Sequence, residues 1–109
     1  MTDIAALVAE SADAAGLHAT VPALLIELQT ELGALSAVAT AATERGRRPF
    51  RPAPGWEGRL GTLGYGLYLL ADQSGVNLAD QIEAVAAATR TRAEQQQRSE
   101  DSDWPFKPN

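Results

Sequence analysis

The stretch RLGTLGYGLYLLADQSGVNL, residues 59 to 78, decides the fold. Its leucines recur at helical spacing, a short glycine turn follows, and Asn77 is a favoured cap for a second helix. The first of these helices carries Gly61, Gly64 and Gly66, although each glycine costs about 1 kcal/mol relative to alanine. A glycine face admits a second helix closely, from the same chain or across a dimer axis. A phosphate-binding loop is disfavoured, because no strand precedes the stretch and the Gly-Lys-Ser/Thr ending is absent.

The same periodicity extends through the rest of the chain and predicts an all-α fold, a four-helix bundle, with no strand pattern. The predicted helices cover about residues 3–15 with Thr2 as N-cap, then about 20–43, 57–74 and 78–97. The apolar positions of the last three helices predict their core faces. These are Leu24, Leu28, Leu32, Leu35 and Ala39; then Leu60, Leu63, Leu67 and Leu70; then Leu78, Ile82, Val85, Ala86 and Thr89.

The length of 109 residues favours one domain, here residues 1–97, followed by a polar tail over 98–109 that is expected to be flexible. Within this tail, Trp104, Pro105 and Phe106 predict either a docking peg for a protein partner or part of a disordered end. The chain has no cysteine, which excludes disulfides and cysteine-ligated zinc.

The net charge of −5 argues against general nucleic-acid binding. No apolar run is expected to be long enough for a membrane span, and the acidic N-terminus lacks a signal peptide's basic start, so we expect a cytoplasmic protein. Five of the nine basic residues lie between positions 45 and 59, in and just after a proline-rich loop. This arginine-rich loop either binds phosphates or an acidic partner, or is simply solvated. Its neighbours Phe50 and Trp56 either stack on a base or close the end of the bundle.

Two segments carry a resemblance to a known family. LYLLADQSGVNLADQIEA and, upstream, HATVPALLIELQTELGAL resemble the MazG-like, all-α nucleoside triphosphate pyrophosphohydrolases over about residues 18–92. That family has a helix ending in Leu-Ala-Asp, a glycine turn, and a preceding helix with a Glu-x-Gly-Glu-Leu core. The resemblance implies a MazG-like bundle completed by dimerisation, as a homodimer or higher homo-oligomer. It also implies a magnesium site built from Glu-x-x-Glu and Glu-x-x-Asp pairs.

Transferred residue by residue, the family's metal site is largely missing here. The first glutamate falls on Glu31, but the second falls on Ala34, and the Glu-x-x-Asp pair falls on Arg59 and Thr62. Three of the four implied carboxylates are therefore absent, and Glu31 and Arg59 together carry no net charge. Arg59 is suited to bind a phosphate directly, as a bidentate donor, and Thr62 adds a hydroxyl group. The family's later Lys-x-x-x-Asn pair, which falls on Val85 and Thr89, is also missing.

Three functions remain open on these residues. The favoured one is a MazG-like protein that has lost hydrolysis and binds a nucleotide or phosphate through Glu27, Glu31, Arg59 and Thr62, with no cofactor. The second is an active Mg²⁺-dependent pyrophosphohydrolase with a rearranged site on Glu27 and Glu31, which are spaced i, i+4. The third is a helical protein–protein adaptor. His18, the single histidine, is not expected to be catalytic, and Asp72 is expected to be a surface or helix-end residue and not a third metal ligand.

Overall fold

All the regular secondary structure in the described part of the chain is α-helical. The computed structural model describes residues 3–103, which form four α-helices and no strand. The helices are α1 (Ile4–Ala15), α2 (Val21–Ala42), α3 (Trp56–Gln73) and α4 (Leu78–Asp103). The all-α class is confirmed, and the predicted bounds of α2 and α3 are correct to within one residue.

Side-chain caps explain where α1 and α2 begin, and a left-handed glycine explains where α1 ends. The carboxylate of Asp3 accepts the N–H of Ala6 at 3.2 Å, so Asp3 is the N-cap of α1. The prediction of Thr2 as this cap is wrong, and Thr2 itself lies outside the described residues. Gly16 ends α1 at φ +67°, a conformation that glycine adopts without steric cost. Thr20 caps α2, because its hydroxyl oxygen accepts the N–H of Ala23 at 3.3 Å.

Contacts divide the chain into two units, Met1–Asn77 and Leu78–Asn109. In the first unit, α3 is the central helix, because it packs against both α1 and α2. The core of this unit is small and aliphatic, and two tyrosines contribute to its edge. Its buried members are Val8, Ala12, Leu24 and Leu69, and the half-buried residues packed on them are Ala19, Tyr65, Tyr68 and Leu70.

A hydrogen-bonded chain joins α1 to α3. The hydroxyl oxygens of Tyr65 and Ser11 are 2.8 Å apart, and the Ser11 hydroxyl lies 3.0 Å from the carbonyl oxygen of Val8. A serine hydroxyl has one proton, which is donated to Val8, so Tyr65 is the donor to Ser11. The tyrosine thereby fixes α1 against α3 and leaves none of these three polar groups unpaired.

His18 makes a second polar connection between the same helices. Its Nε2 pairs with the carboxylate of Asp13 in α1, and its Nδ1 pairs with the side-chain amide of Gln73 in α3. With the neutral ring donating to the carboxylate through Nε2, Nδ1 is the acceptor for the amide. Both ring nitrogens of His18 therefore have partners among the described residues.

The predicted core faces of α2 and α3 are wrong in part. Leu24 and Leu35 are buried, but Leu32, placed in the same stripe, is 53% exposed. In α3, Leu60 and Leu67 are 46% and 44% exposed, and the helix instead buries Leu69 and Ala71. Helical spacing shows that a face is apolar, but it does not show which neighbour covers that face.

The second unit contains one described helix, α4, which extends to Asp103 rather than ending at Gln97 as predicted. Its predicted buried face is exposed apart from the half-buried Leu78; Ile82 and Val85, for example, are 51% and 64% exposed. The prediction of a buried face is wrong, because a single helix has no second element in its own unit against which to pack. The predicted peg of Trp104, Pro105 and Phe106 lies outside the described residues.

Helix α2 has an unexpected composition. By length and apolar content its residues Val21–Ala42 would suffice to cross a membrane, which no other helix among the described residues would do. The expectation that no apolar run is long enough to span a membrane is therefore wrong. Helix α2 is apolar enough because Glu27 and Glu31 are its only charged side chains. Core helices of water-soluble proteins and signal sequences have the same composition.

Candidate functional site

A cleft of about 330 Å³ lies between α2 and α3 and contains most of the predicted site residues. Its floor is aliphatic and includes Leu24, Leu28 and Leu69, while Leu17 reaches it from the segment after α1. Pockets for small molecules commonly combine such apolar walls with a few polar groups. The polar groups of this α2–α3 cleft come from Glu27, Glu31, Thr30, Thr62 and Tyr65.

The two glutamates enter the cleft from one side of α2. Glu27 and Glu31 are one turn apart, so their carboxylates project from the same face. Glu27 is exposed and Glu31 is half-buried. Within residues 3–103 neither carboxylate forms a hydrogen bond or an ion pair, which leaves their oxygen lone pairs available to a ligand.

Thr62 faces these glutamates from α3, as the resemblance implies, but its hydroxyl proton is already engaged. Its Oγ1 donates to the carbonyl oxygen of Gly58 at 3.0 Å. The oxygen can accept in this position, but its proton must rotate about the Cβ–Oγ1 bond, away from Gly58, before the hydroxyl donates to a phosphate. Thr62 can therefore act as the predicted hydrogen-bond donor to a phosphate only after its hydroxyl group has rotated.

Arg59 is the predicted ligand-binding residue that the cleft lining does not include. It is exposed on α3, one turn before Thr62, which corresponds to a rise of about 4.5 Å along the axis. No carboxylate among the described residues pairs with it. The Cα of Arg59 is therefore one turn closer than Thr62 to the N-terminus of α3, where the helix dipole favours an anion.

Sequence reasoning missed Tyr65. Tyr65 lines the cleft. It follows Thr62 by three residues and therefore lies on the same face of α3, and this spacing could have identified it from the sequence. Tyr65 also borders a second recess of about 460 Å³ between α1 and α3. The recess is lined mainly by apolar groups and by two glycines, with Ile4, Leu7, Gly61, Gly64 and Tyr68 among its lining.

The glycines of α3 do not share one role in the structure. A Cβ built at Gly66 would lie 2.8 Å from Cδ2 of Leu28, so Gly66 permits the close approach of α2. A Cβ at Gly61 or Gly64 would meet no described heavy atom within 4 Å. The close crossing predicted for all three glycines is therefore observed at Gly66, within one chain.

The described residues contain no group of three or more histidine, cysteine, aspartate or glutamate side chains that could hold a metal ion. Glu27 and Glu31 form a pair only, and Asp72 is exposed near the end of α3. Mg²⁺ is commonly bound by one or two carboxylates, with water and phosphate oxygens completing its shell. The pair suits that mode and does not suit a closed protein cage.

The arginine-rich loop between α2 and α3 is exposed and is partly organised by its own residues. Arg48 pairs with Glu44 at 3.3 Å, an i, i+4 ion pair that solvent weakens. The rings of Phe50 and Trp56 are 4.9 Å apart and tilted by 60°. Phe50 and Trp56 thus pack on each other at the start of α3, and neither lines the α2–α3 cleft.

The comparisons with known proteins identify no relative. No family model matches the chain, and neither a curated protein nor a solved structure matches it.

Proposed function

We propose that this chain is a MazG-like protein that binds a nucleotide or another phosphate ligand in the α2–α3 cleft and acts as a binding or regulatory module, without hydrolysing the ligand. One observation carries the proposal. Glu31 and Thr62, which the resemblance places in one site, lie on different helices and line the same cleft. Glu27 joins them there, in keeping with the residues predicted from the sequence.

The geometry suggests how such a ligand would lie. The aliphatic floor and the ring of Tyr65 suit the flat, weakly polar surface of a base. Arg59, one turn before Thr62 in α3, would meet the phosphates through a charge-assisted, bidentate contact. The side chain of Arg59 has no competing carboxylate partner among the described residues, so no ion pair has to break when the phosphate binds.

Loss of hydrolysis follows from the number of carboxylates. Two metal ions that carry a triphosphate and activate a water need more oxygen ligands than one glutamate pair supplies. At the other three positions implied by the resemblance, a methyl group, a guanidinium and a hydroxyl group replace carboxylates, at Ala34, Arg59 and Thr62. The guanidinium repels a divalent cation, so the same substitution that favours phosphate weakens metal binding.

Thermal-shift and calorimetric titrations with a panel of nucleotides in EDTA test metal-free binding. We expect binding that Arg59→Ala weakens at least tenfold, because the charge-assisted contact is lost. Arg92→Ala in α4 is the matched control and should leave the affinity unchanged. If no nucleotide or inorganic phosphate binds in EDTA or in magnesium, the proposal fails.

The unpaired glutamates favour a second candidate, an active Mg²⁺-dependent pyrophosphohydrolase. In it, Glu27 and Glu31 would hold one Mg²⁺, which would neutralise phosphate charge, and phosphate oxygens and water would complete the shell. Glu31→Gln separates the two candidates. Without a metal the substitution removes repulsion and should tighten phosphate binding about threefold, whereas with a required metal it should weaken binding.

Pyrophosphate release is the direct assay for the second candidate. A panel of deoxynucleoside triphosphates with Mg²⁺ should yield no pyrophosphate if the favoured proposal is correct. Release that disappears in Glu31→Ala, with the variant still folded by circular dichroism, would contradict the loss of hydrolysis and establish the enzyme.

A further inference from the structure

The loop between α2 and α3 contains a proline-rich segment, RPFRPAP, at residues 48–54, which we call the proline segment. Proline fixes its own φ at about −65° and restricts the residue before it to extended or polyproline II conformations. The three prolines therefore constrain every residue of the segment except Phe50. No residue of the segment has a positive φ, and residues 49–53 belong to no helix, strand or turn. The proline segment is thus suited to the polyproline II conformation.

The backbone of the proline segment is fixed at its ends and open in its middle. The N–H of Arg48 donates to the carbonyl oxygen of Thr43 at 2.9 Å, and the carbonyl oxygen of Ala53 accepts the N–H of Trp56 at 3.1 Å. Between them, the backbone groups of residues 49–52 form no hydrogen bond with any described residue. Polyproline II likewise has no internal hydrogen bonds, so the carbonyl groups in the middle are available to donors on another molecule.

The surroundings of the segment follow the threefold repeat of polyproline II. With three residues per turn, residues i and i+3 lie on one edge, so Phe50 and Ala53 share an edge. The ring of Phe50 contacts the ring of Trp56, with their centroids 4.9 Å apart. Ala53 is half-buried, whereas the other six residues of the segment are exposed. The edge of Phe50 and Ala53 therefore faces the start of α3, and the other two edges face solvent.

The two solvent-facing edges differ in chemistry. Pro49 and Pro52 share one edge and form an apolar ridge about 9 Å long. Arg48 and Arg51 share the other edge. The guanidinium of Arg51 has no carboxylate partner among the described residues, and the exposed ion pair of Arg48 is weak. Residues 45–54 contain four arginines and no acidic residue, so the segment is locally basic in a chain of net charge −5.

We propose that the proline segment is a ligand for a partner protein and docks into an aromatic-lined groove whose rim is acidic. Grooves of this class bind segments that already adopt polyproline II, because little conformational entropy is lost on binding. The aromatic rings would receive the ridge of Pro49 and Pro52, and a carboxylate of the rim would pair with Arg51. No residue of the segment lines the α2–α3 cleft, so this partner and the ligand of the cleft would bind at different places.

The packing of the two aromatic residues favours a protein partner over a nucleic-acid strand. A single strand binds to basic surfaces whose aromatic rings are open for its bases to stack on. Here Phe50 and Trp56 pack on each other, and Trp56 is half-buried. The prolines, in contrast, add nothing to phosphate binding and are required for a preformed ridge.

Calorimetric titration of the full chain with purified SH3, WW and EVH1 domains tests the proposal, because these domains supply such grooves. We expect domains with an acidic rim to bind, and a soluble polyproline peptide to displace the chain. The double substitution Pro49→Ala/Pro52→Ala should weaken binding at least about tenfold, because the preformed ridge is lost. Pro22→Ala, in the first turn of α2, is the matched control and should leave the affinity unchanged.

Arg51→Glu keeps the test informative if the proline variant unfolds, since this side chain is exposed and makes no ion pair with a described residue. It should weaken binding at least about tenfold, and the effect should be larger at low salt. Failure of every domain to bind at about 100 µM would overturn the proposal. Binding that polyproline does not displace would also overturn it, as would a single-stranded oligonucleotide that binds in place of the domains and is lost in Arg51→Glu.

Discussion

Replacing Gly66 by alanine would place a methyl carbon 2.8 Å from Cδ2 and 3.6 Å from Cγ of Leu28. The first distance is shorter than side chains tolerate, so the end of Leu28 must rotate or α2 must move away. Alanine also favours the helical backbone by about 1 kcal/mol over glycine. Over-packing of a close contact costs about 1–3 kcal/mol, so the two effects oppose each other and the substitution should be neutral or destabilising.

Gly61→Ala is the matched control in the same helix. A Cβ at Gly61 meets no described heavy atom within 4 Å, so the full helical gain of about 1 kcal/mol should appear. The free energy of unfolding of Gly66→Ala should therefore lie about 1–3 kcal/mol below that of Gly61→Ala. The comparison cancels the difference in backbone propensity and isolates the contact with Leu28.

Urea unfolding followed by circular dichroism measures this difference. With a slope of about 1.5 kcal/mol per molar, the midpoint for Gly66→Ala should fall about 0.7–2 M below that for Gly61→Ala. Equal midpoints would refute the predicted over-packing, because the end of Leu28 would have moved aside at little cost. A lowered midpoint for Gly61→Ala would show instead that a second helix fills the recess between α1 and α3 in solution.

Two further predictions concern the polar connections of α1. Tyr65→Phe should lower the free energy of unfolding by about 1 kcal/mol, because the hydrogen bond to Ser11 is lost. The hydroxyl of Tyr68 has no partner among the described residues, so Tyr68→Phe should change the free energy of unfolding by less than about 0.5 kcal/mol. Equal effects in urea unfolding would show that the Tyr65 bond does not stabilise the fold. His18→Ala should also cost about 1 kcal/mol and should remove most of the effect of Asp13→Ala in a double-mutant cycle; additive effects would show that His18 and Asp13 do not interact.

The helices could be predicted from the sequence because their determinants are local. Thr20 accepts the backbone bond that opens α2, and Gly16 adopts the left-handed conformation that ends α1. The helix faces could not be predicted in the same way. Leu32 and Leu67 have the spacing of core residues and are about half exposed, whereas Leu69, outside the predicted stripe, is buried. Burial depends on which surfaces meet, and helical periodicity carries no information about that.

The candidate site could also be predicted only in part: the residues that share a helix face could be predicted, but the way the helices meet could not. The i, i+4 spacing of Glu27 and Glu31 predicts a shared face, and both carboxylates line the cleft. Tyr65 was missed because its spacing from Thr62 shows a shared face of α3, but only the packing of α3 against α2 shows that this face lines a cleft. Arg59 was predicted to contact the ligand directly, yet it is not among the residues that line the cleft. Sequence spacing gives the position of its Cα but not the direction of its long side chain.

Tyr65 is common to the linings of the cleft and of the recess beside α1, and its hydroxyl is bonded to Ser11. A molecule that displaces this ring from one cavity must reshape the other and break that bond. Occupancy of the cleft is then thermodynamically linked to the docking of α1. A coupling of about 1 kcal/mol, the worth of one hydrogen bond, would change the affinity at either place about fivefold, and reciprocally.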